Sequence, residues 1–188
     1  MFGPQGSGKS TQVKRLAEHL SLTIYETGAQ LRERSKIDYA LHQQVSTGVL
    51  ISDQTMPELV REFLENHTLT EGIVFDGYPR TLAQCQGFKQ LVDHYTWRVL
   101  AIYIDLADES AKKRLAGRFQ LINGEKVYRE DDKPEVVAKR LETFKSQTLP
   151  IKDWFEKNYK LLTIDGEPSV DEVTSAINLG TEAILNEK

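Results

Sequence analysis

Eight residues near the start of the chain restrict its fold more than any others: Gly3-Pro4-Gln5-Gly6-Ser7-Gly8-Lys9-Ser10, a glycine, four residues, then Gly-Lys-Ser. Glycine-rich backbone can wrap closely enough for successive N–H groups to face one anion, and a helix beginning there adds the positive end of its dipole. Behind the motif the apolar residues Val13, Leu16, Ala17 and Leu20 recur at helical spacing, so residues 8 to 20 are predicted to form that helix. The combination reads as a phosphate-binding loop. Gly6, Ser7, Gly8, Lys9, Ser10 and Thr11 are the candidate nucleotide contacts. Lys9 would neutralise β/γ-phosphate charge, and the Ser10 hydroxyl is a candidate partner of Mg2+. Such a loop normally follows a buried strand of about five residues. Only Met1-Phe2 precede Gly3, so the first strand reads as truncated and Met1 as an internal methionine of it.

The rest of the chain supplies the pattern this loop requires. Short apolar runs at Leu22 to Tyr25, Ile73 to Phe75, Val99 to Ile104 and Leu161 to Ile164 lack polar alternation, as parallel strands covered on both faces do. Between them Met56, Leu59, Val60, Phe63 and Leu64 share one helical face, as do Val137, Leu141 and Phe144. Ser169 and Glu172 fit a capping box that opens a last helix. Alternation of strand and helix predicts an α/β fold. Asn123-Gly124, between Phe119 to Ile122 and Lys126 to Tyr128, predicts a small β-hairpin flanked by Arg114, Arg118, Arg129 and Arg140.

Length and composition exclude several classes. With 188 residues one domain is the default, and a net charge of −4 argues against a sequence-independent grip on nucleic acid. Cys85 is the only cysteine, which fits a reducing compartment and a cytoplasmic protein. There is neither a run of membrane-spanning length nor a signal-peptide pattern, so no membrane partner is expected. His19, His42, His67 and His94 have no ligand spacing between them, and Cys85 and Trp97 read as packing residues.

Ile73-Val74-Phe75-Asp76 looks like a Walker-B strand that delivers a carboxylate to the sheet edge beside the phosphate loop, making Asp76 a candidate for the metal's water shell. The segment that follows, Asp76-Gly77-Tyr78-Pro79-Arg80-Thr81 with Gln84, resembles the signature of adenylate kinases, and Ser10-Thr11-Gln12 agrees with it. The resemblance covers nearly the whole chain. It implies a three-layer fold with a central parallel sheet of strand order 2-3-1-4-5, the truncated strand lying between those that end at Asp76 and Asp105. It further implies a helical AMP-binding insert over residues 27–58 and a short lid over residues 118–131.

By that resemblance Thr27 lies near the acceptor base, Arg32 and Arg80 bind the AMP phosphate, and the backbone of Val49, Leu50 and Ile51 meets the adenine. Gly77, Tyr78 and Pro79 belong to the same subsite, and Gln84 reads the adenine edge. Related pyrimidine kinases tend to carry Asn where Thr81 stands, so Thr81 with Gln84 favours AMP. On the donor side Arg114 and Arg118 match arginines that contact ATP, and Val127-Tyr128 match lid residues near its base and ribose. The loop Asp165-Gly166-Glu167-Pro168 matches the backbone that packs on the ATP adenine. Arg129 and Arg140 match the pair that bridges the phosphates. Ten residues separate Arg118 from Arg129 and none is Cys, so the lid is the short type without structural zinc.

The implied activity is reversible Mg2+-dependent phosphoryl transfer from ATP to AMP by a monomer. Because the AMP phosphate is already anionic, with a second pKa of about 6, no general base is needed. Catalysis must come from positioning and from cations, here Lys9, Arg32, Arg80, Arg118, Arg129 and Arg140. The chain departs from the family at Ala29, where a carboxylate is usual, and at Ser10, where many relatives have glycine. Two other readings stay open at the level of sequence: a UMP/CMP or broad-specificity monophosphate kinase, and a nucleotide-binding module whose catalysis is impaired by the short start. A GTPase is disfavoured by the lack of an Asn-Lys-x-Asp motif.

Overall fold

The computed structural model describes residues 1–37, 55–69, 71–117, 119–122, 125–128 and 133–186, with backbone alone at 119–122 and 125–128. Val49, Leu50, Ile51, Arg118 and Arg129, with the turn Asn123-Gly124, lie outside them.

Helix α1 (Lys9–Leu20) starts immediately after the phosphate loop and is followed by β1 (Thr23–Glu26) and α2 (Thr27–Ser35). Then come α3 (Thr55–Asn66), β2 (Ile73–Asp76), α4 (Leu82–Tyr95), β3 (Leu100–Asp105) and α5 (Asp108–Ala116). An antiparallel hairpin, β4 (Phe119–Ile122) and β5 (Glu125–Tyr128), pairs Phe119 with Tyr128 and Ile122 with Glu125. The chain closes with α6 (Pro134–Thr143), a π-helical turn Phe144–Thr148, α7 (Ile151–Asn158), β6 (Lys160–Asp165) and α8 (Val170–Asn186).

The fold is α/β with parallel pairing, as the apolar runs predict. β1 runs parallel to β2 with Glu26 opposite Asp76, and β3 runs parallel to β6 with Asp105 opposite Asp165. Four carboxylates thus end four strands at one sheet edge. Met1 and Phe2 connect the two ladders. Phe2 N–H donates to Ile102 O at 2.9 Å, Ile104 N–H donates to Phe2 O at 2.9 Å, and the Met1 ammonium donates to Phe75 O at 2.8 Å. That connection is one isolated bridge, Phe2 with Tyr103, so the five-strand order expected from the resemblance has no continuous ladder at its centre.

Two layers of side chains cover the sheet. On one side Leu16 of α1 packs with Ile102, Ile104, Ile164 and with Val173 and Ile177 of α8. Nearby, Val13 and Ala17 meet Val74. Burying each such aliphatic side chain stabilises the fold by about 1.5–3 kcal/mol. On the other side an aromatic cluster gathers Phe2, Tyr25, Phe63, Phe75, Tyr78, Phe88, Tyr103 and Phe155 with the apolar stripe of α3. Edge-on pairs such as Tyr25 with Phe63 (5.1 Å, 89°) and Phe75 with Phe88 (5.8 Å, 89°) fix the ring geometry.

The capping box predicted at Ser169 is present: Ser169 N–H donates to Glu172 Oε2 at 2.9 Å and Glu172 N–H to Ser169 Oγ at 3.3 Å. One expected element differs. Phe144 does not extend the α-helix of Val137 and Leu141 but opens the π-helical turn, where Leu149 N–H reaches back to Phe144 O at 2.7 Å. The wider turn still buries Phe144, which is why a stripe read at α-helical spacing included it.

Candidate active site

The phosphate loop is shaped by backbone. Gly6 and Gly8 have φ of 82° and 83°, a left-handed region that costs side-chain-bearing residues energy. At Gly6 a Cβ would also lie 2.9 Å from Ala111 O, whereas at Gly8 it would meet open space. Gly8 therefore needs glycine for its dihedrals alone, and Gly6 for dihedrals and room. Thr11 and Gln12 N–H both donate to Gly8 O, at 3.0 and 3.1 Å, which closes the first turn of α1. Ser7 is buried, and the Lys9 ammonium folds over the loop to donate to Pro4 O at 2.7 Å.

Ser10 and Asp76 meet at this loop. The Ser10 hydroxyl donates to Asp76 Oδ2 at 2.6 Å, and the carboxylate is 7% exposed. A hydroxyl and a carboxylate so close offer two hard oxygens, the donor type Mg2+ prefers, with the remaining positions left to water and phosphate. No group of three His, Cys, Asp or Glu residues able to hold a metal exists among the described residues.

Next along the chain, Gly77 to Gln84 form a compact turn whose Tyr78-Pro79 peptide is cis. Arg80 Nε donates to Gly77 O at 2.6 Å, so the guanidinium lies back over Gly77. Burial and the nearby Arg140 charge pull the Arg80 pKa below its ordinary value, while Asp76 acts in the opposite direction. Two cations brought together beside one carboxylate form a site that favours an anion. Thr81 caps α4 by accepting from Gln84 N–H at 3.1 Å, and Gln84 Oε1 accepts from Arg80 N–H at 2.9 Å. Thr81 and Gln84 thus also hold the backbone that carries Arg80. Tyr78, Pro79 and Gln84 are buried around this turn.

At the end of β1 the Thr27 hydroxyl is buried and has no hydrogen-bond partner among the described residues. Arg32 is exposed, with Nη2 at 3.2 Å from Glu26 Oε1. On the opposite flank Arg114 Nη2 donates to Glu167 O at 3.0 Å, which anchors the loop 165–168 to α5. The Glu167 carboxylate accepts from Ala107 N–H at 3.1 Å, and Gly166 N–H donates to Asp105 O at 2.7 Å. Hydrogen bonds from Ser110 and from Ala107 N–H hold the Glu167 carboxyl below the ordinary carboxylate range. Pro168 is exposed at the rim of this loop. Val127 and Tyr128 are placed by their backbone on β5.

Sequence reasoning gave no side-chain role to three polar residues. Glu26 pairs with Arg32; Glu167 ties its own loop to the start of α5; and buried Gln12 links α1 to α8 by donating to Val170 O at 3.0 Å and accepting from Thr174 Oγ1 at 2.8 Å. Gln12 and Glu167 were read only as members of matched segments, and Glu26 left no trace in the sequence.

Comparison with known proteins identifies the family. The family model described as adenylate kinase matches residues 1–160. The chain is 36% identical over 193 residues to the adenylate kinase of Maricaulis maris (strain MCS10), covering 100% of this chain and 98% of that protein. It is 35% identical over 183 residues to the adenylate kinase of Phenylobacterium zucineum (strain HLK1), covering 95% and 94%. That of Tropheryma whipplei (strain Twist) is 35% identical over 178 residues, covering 94% and 93%. With a family match over most of its length and relatives aligned nearly end to end, the chain belongs to the adenylate kinase family.

Proposed function

We propose that the protein transfers the terminal phosphoryl group of ATP to AMP, reversibly and with Mg2+, giving two ADP. The observation that carries this reading is the convergence of two anion sites on one sheet edge. One is the glycine-built loop with Lys9, Ser10 and Asp76; the other is the turn in which Arg80 meets the charge of Arg140.

The reaction asks for little covalent chemistry from protein. The acceptor phosphate is anionic at neutral pH, so the barrier lies in bringing two highly charged groups into line and neutralising the charge that spreads over the transferred oxygens. In this reading the loop's N–H groups and Lys9 hold the donor phosphates. Arg32 and Arg80 hold the acceptor phosphate. Arg140, with Arg118 and Arg129, spans the two. Arginine suits these places because its planar fork can grip two oxygens and keeps its proton. Mg2+ when bound supplies charge neutralisation at the donor phosphates, and Ser10 and Asp76 would hold its water shell. Arg114 and the loop 165–168 flank the donor base, while Thr27, Gln84 and the segment Val49 to Ile51 flank the acceptor base. Zinc has no part in this reading, nor has nucleic acid or membrane; the acting species is a monomer in the cytoplasm. Among the described residues no helix is long and apolar enough to cross a membrane.

A panel of acceptors with ATP and Mg2+ tests the reading. AMP is expected to give the highest kcat/KM, ahead of UMP and CMP. Faster turnover with UMP would overturn the acceptor assignment, and binding of ATP with no diphosphate formed from any acceptor would overturn catalysis.

A further inference from the structure

We infer that Glu26 is a positioning residue for the acceptor half of the site: its carboxylate holds Arg32 over the start of α2, and an incoming phosphate must displace it. The inference rests on the reading of Arg32 as an acceptor-phosphate ligand, and four observations support it.

Glu26 ends β1 opposite Asp76 of β2, so its Cα stands at the same sheet edge as the carboxylate that meets Ser10. Glu26 is also the residue before α2, with extended backbone (φ −99°, ψ 103°). A short polar side chain at that position normally accepts from the first N–H groups of its helix, and Glu is not among the preferred caps. This one makes no such cap, and its Oε1 instead takes Arg32 Nη2 at 3.2 Å. Finally, the guanidinium turns back over the first turn of α2: a Cβ placed on Gly28 would lie 3.0 Å from Arg32 Nη1 and 3.9 Å from Glu26 Oε1. The absence of a side chain at Gly28 makes room for the pair.

The two side chains are 52% and 37% exposed, which makes the latch weak and exchangeable. A phosphate dianion offers Arg32 more charge and a bidentate geometry, so it can win the guanidinium from one carboxylate. Glu26 then lowers the apparent acceptor affinity by the fraction of molecules in which Arg32 is held. It keeps Arg32 parked near its working place and eases release of the product ADP.

Calorimetric titration of AMP into the ATP-less protein tests this directly, comparing wild type with Glu26→Gln and Glu26→Asp. The aspartate keeps the charge but sets it one methylene back from Arg32, which weakens the pair. Both variants are expected to bind AMP about two- to fivefold tighter, the range that an exposed ion pair allows. ATP affinity should be unchanged, and Glu26→Gln should have no effect in an Arg32→Ala background. Unchanged or weaker AMP binding in both variants overturns the latch. So does tightening by Gln but not Asp, or equal tightening without Arg32, because either would be a general charge effect. If wild type and both variants fail to bind AMP at all, the acceptor reading falls and the latch with it.

Discussion

The two halves of the site handle negative charge by different means. On the proposed donor side the anion-binding surface is largely backbone, with the Lys9 ammonium folded over it: glycines with left-handed dihedrals, the first turn of α1 and a buried Ser7. Its shape is set by the fold. On the proposed acceptor side the cations are side chains with protein partners of their own, Arg80 on Gly77 O and Arg32 on Glu26. A backbone site is permanent and costs stability when its glycines are replaced. A side-chain site is exchangeable, and its loss should affect kinetics much more than folding.

That contrast can be broken most sharply at the loop. Replacing Gly6 with Val puts a branched side chain at φ 82° and against Ala111 O, so stability should fall by about 2–3 kcal/mol and activity with it. Lys9→Met, in the same loop, should reduce kcat by about 10²–10³-fold and move the thermal midpoint by no more than about 4 °C. Steady-state kinetics beside thermal unfolding checks both. A Lys9→Met protein that unfolds as readily as Gly6→Val would remove the distinction between backbone and side chain.

At the acceptor turn, Arg80→Ala is expected to slow transfer by about 10²-fold and raise the AMP KM, with stability changed by about 1 kcal/mol or less in urea. Unaltered kinetics would refute the role given to Arg80. Ser169→Ala removes one half of the capping box beyond the donor loop. It should cost about 1 kcal/mol of stability and leave the AMP KM unchanged. A change in AMP KM would mean that the two halves are coupled through α8.

The smallest effect concerns Glu167. Its folded pKa lies below the ordinary carboxylate value, so its contribution is complete above that value and is lost as pH falls through the lowered one. Wild type should therefore be slightly more stable than Glu167→Gln at pH 7, and the gap should close below about pH 4. Thermal midpoints across that range measure it, and a gap that persisted in acid would assign the contribution to packing instead.

How much of this was legible in the sequence follows from how local each feature is. The phosphate loop, the strand ending in Asp76 and the capping box at Ser169 are contiguous patterns, and the structure places all three as the residues predict. The wide turn at Phe144 was not legible, because burial of Phe144 satisfies an α-helical stripe and a π-helical turn alike. The partnership of Glu26 with Arg32 was hidden for another reason: both are ordinary solvated charges in sequence, and only the backward fold of Arg32 over Gly28 brings them together. The influence of Arg140 on Arg80, sixty residues away in sequence, is likewise a product of the fold that spacing could not give.

The central claim, that two phosphate sites on one sheet edge exchange a phosphoryl group, is tested most directly from the product side. With ADP as sole substrate and Mg2+ present, nucleotide analysis over time should show ATP and AMP rising in equal amounts, with no inorganic phosphate released. ADP that remains unchanged, or is consumed with release of phosphate, would contradict the account.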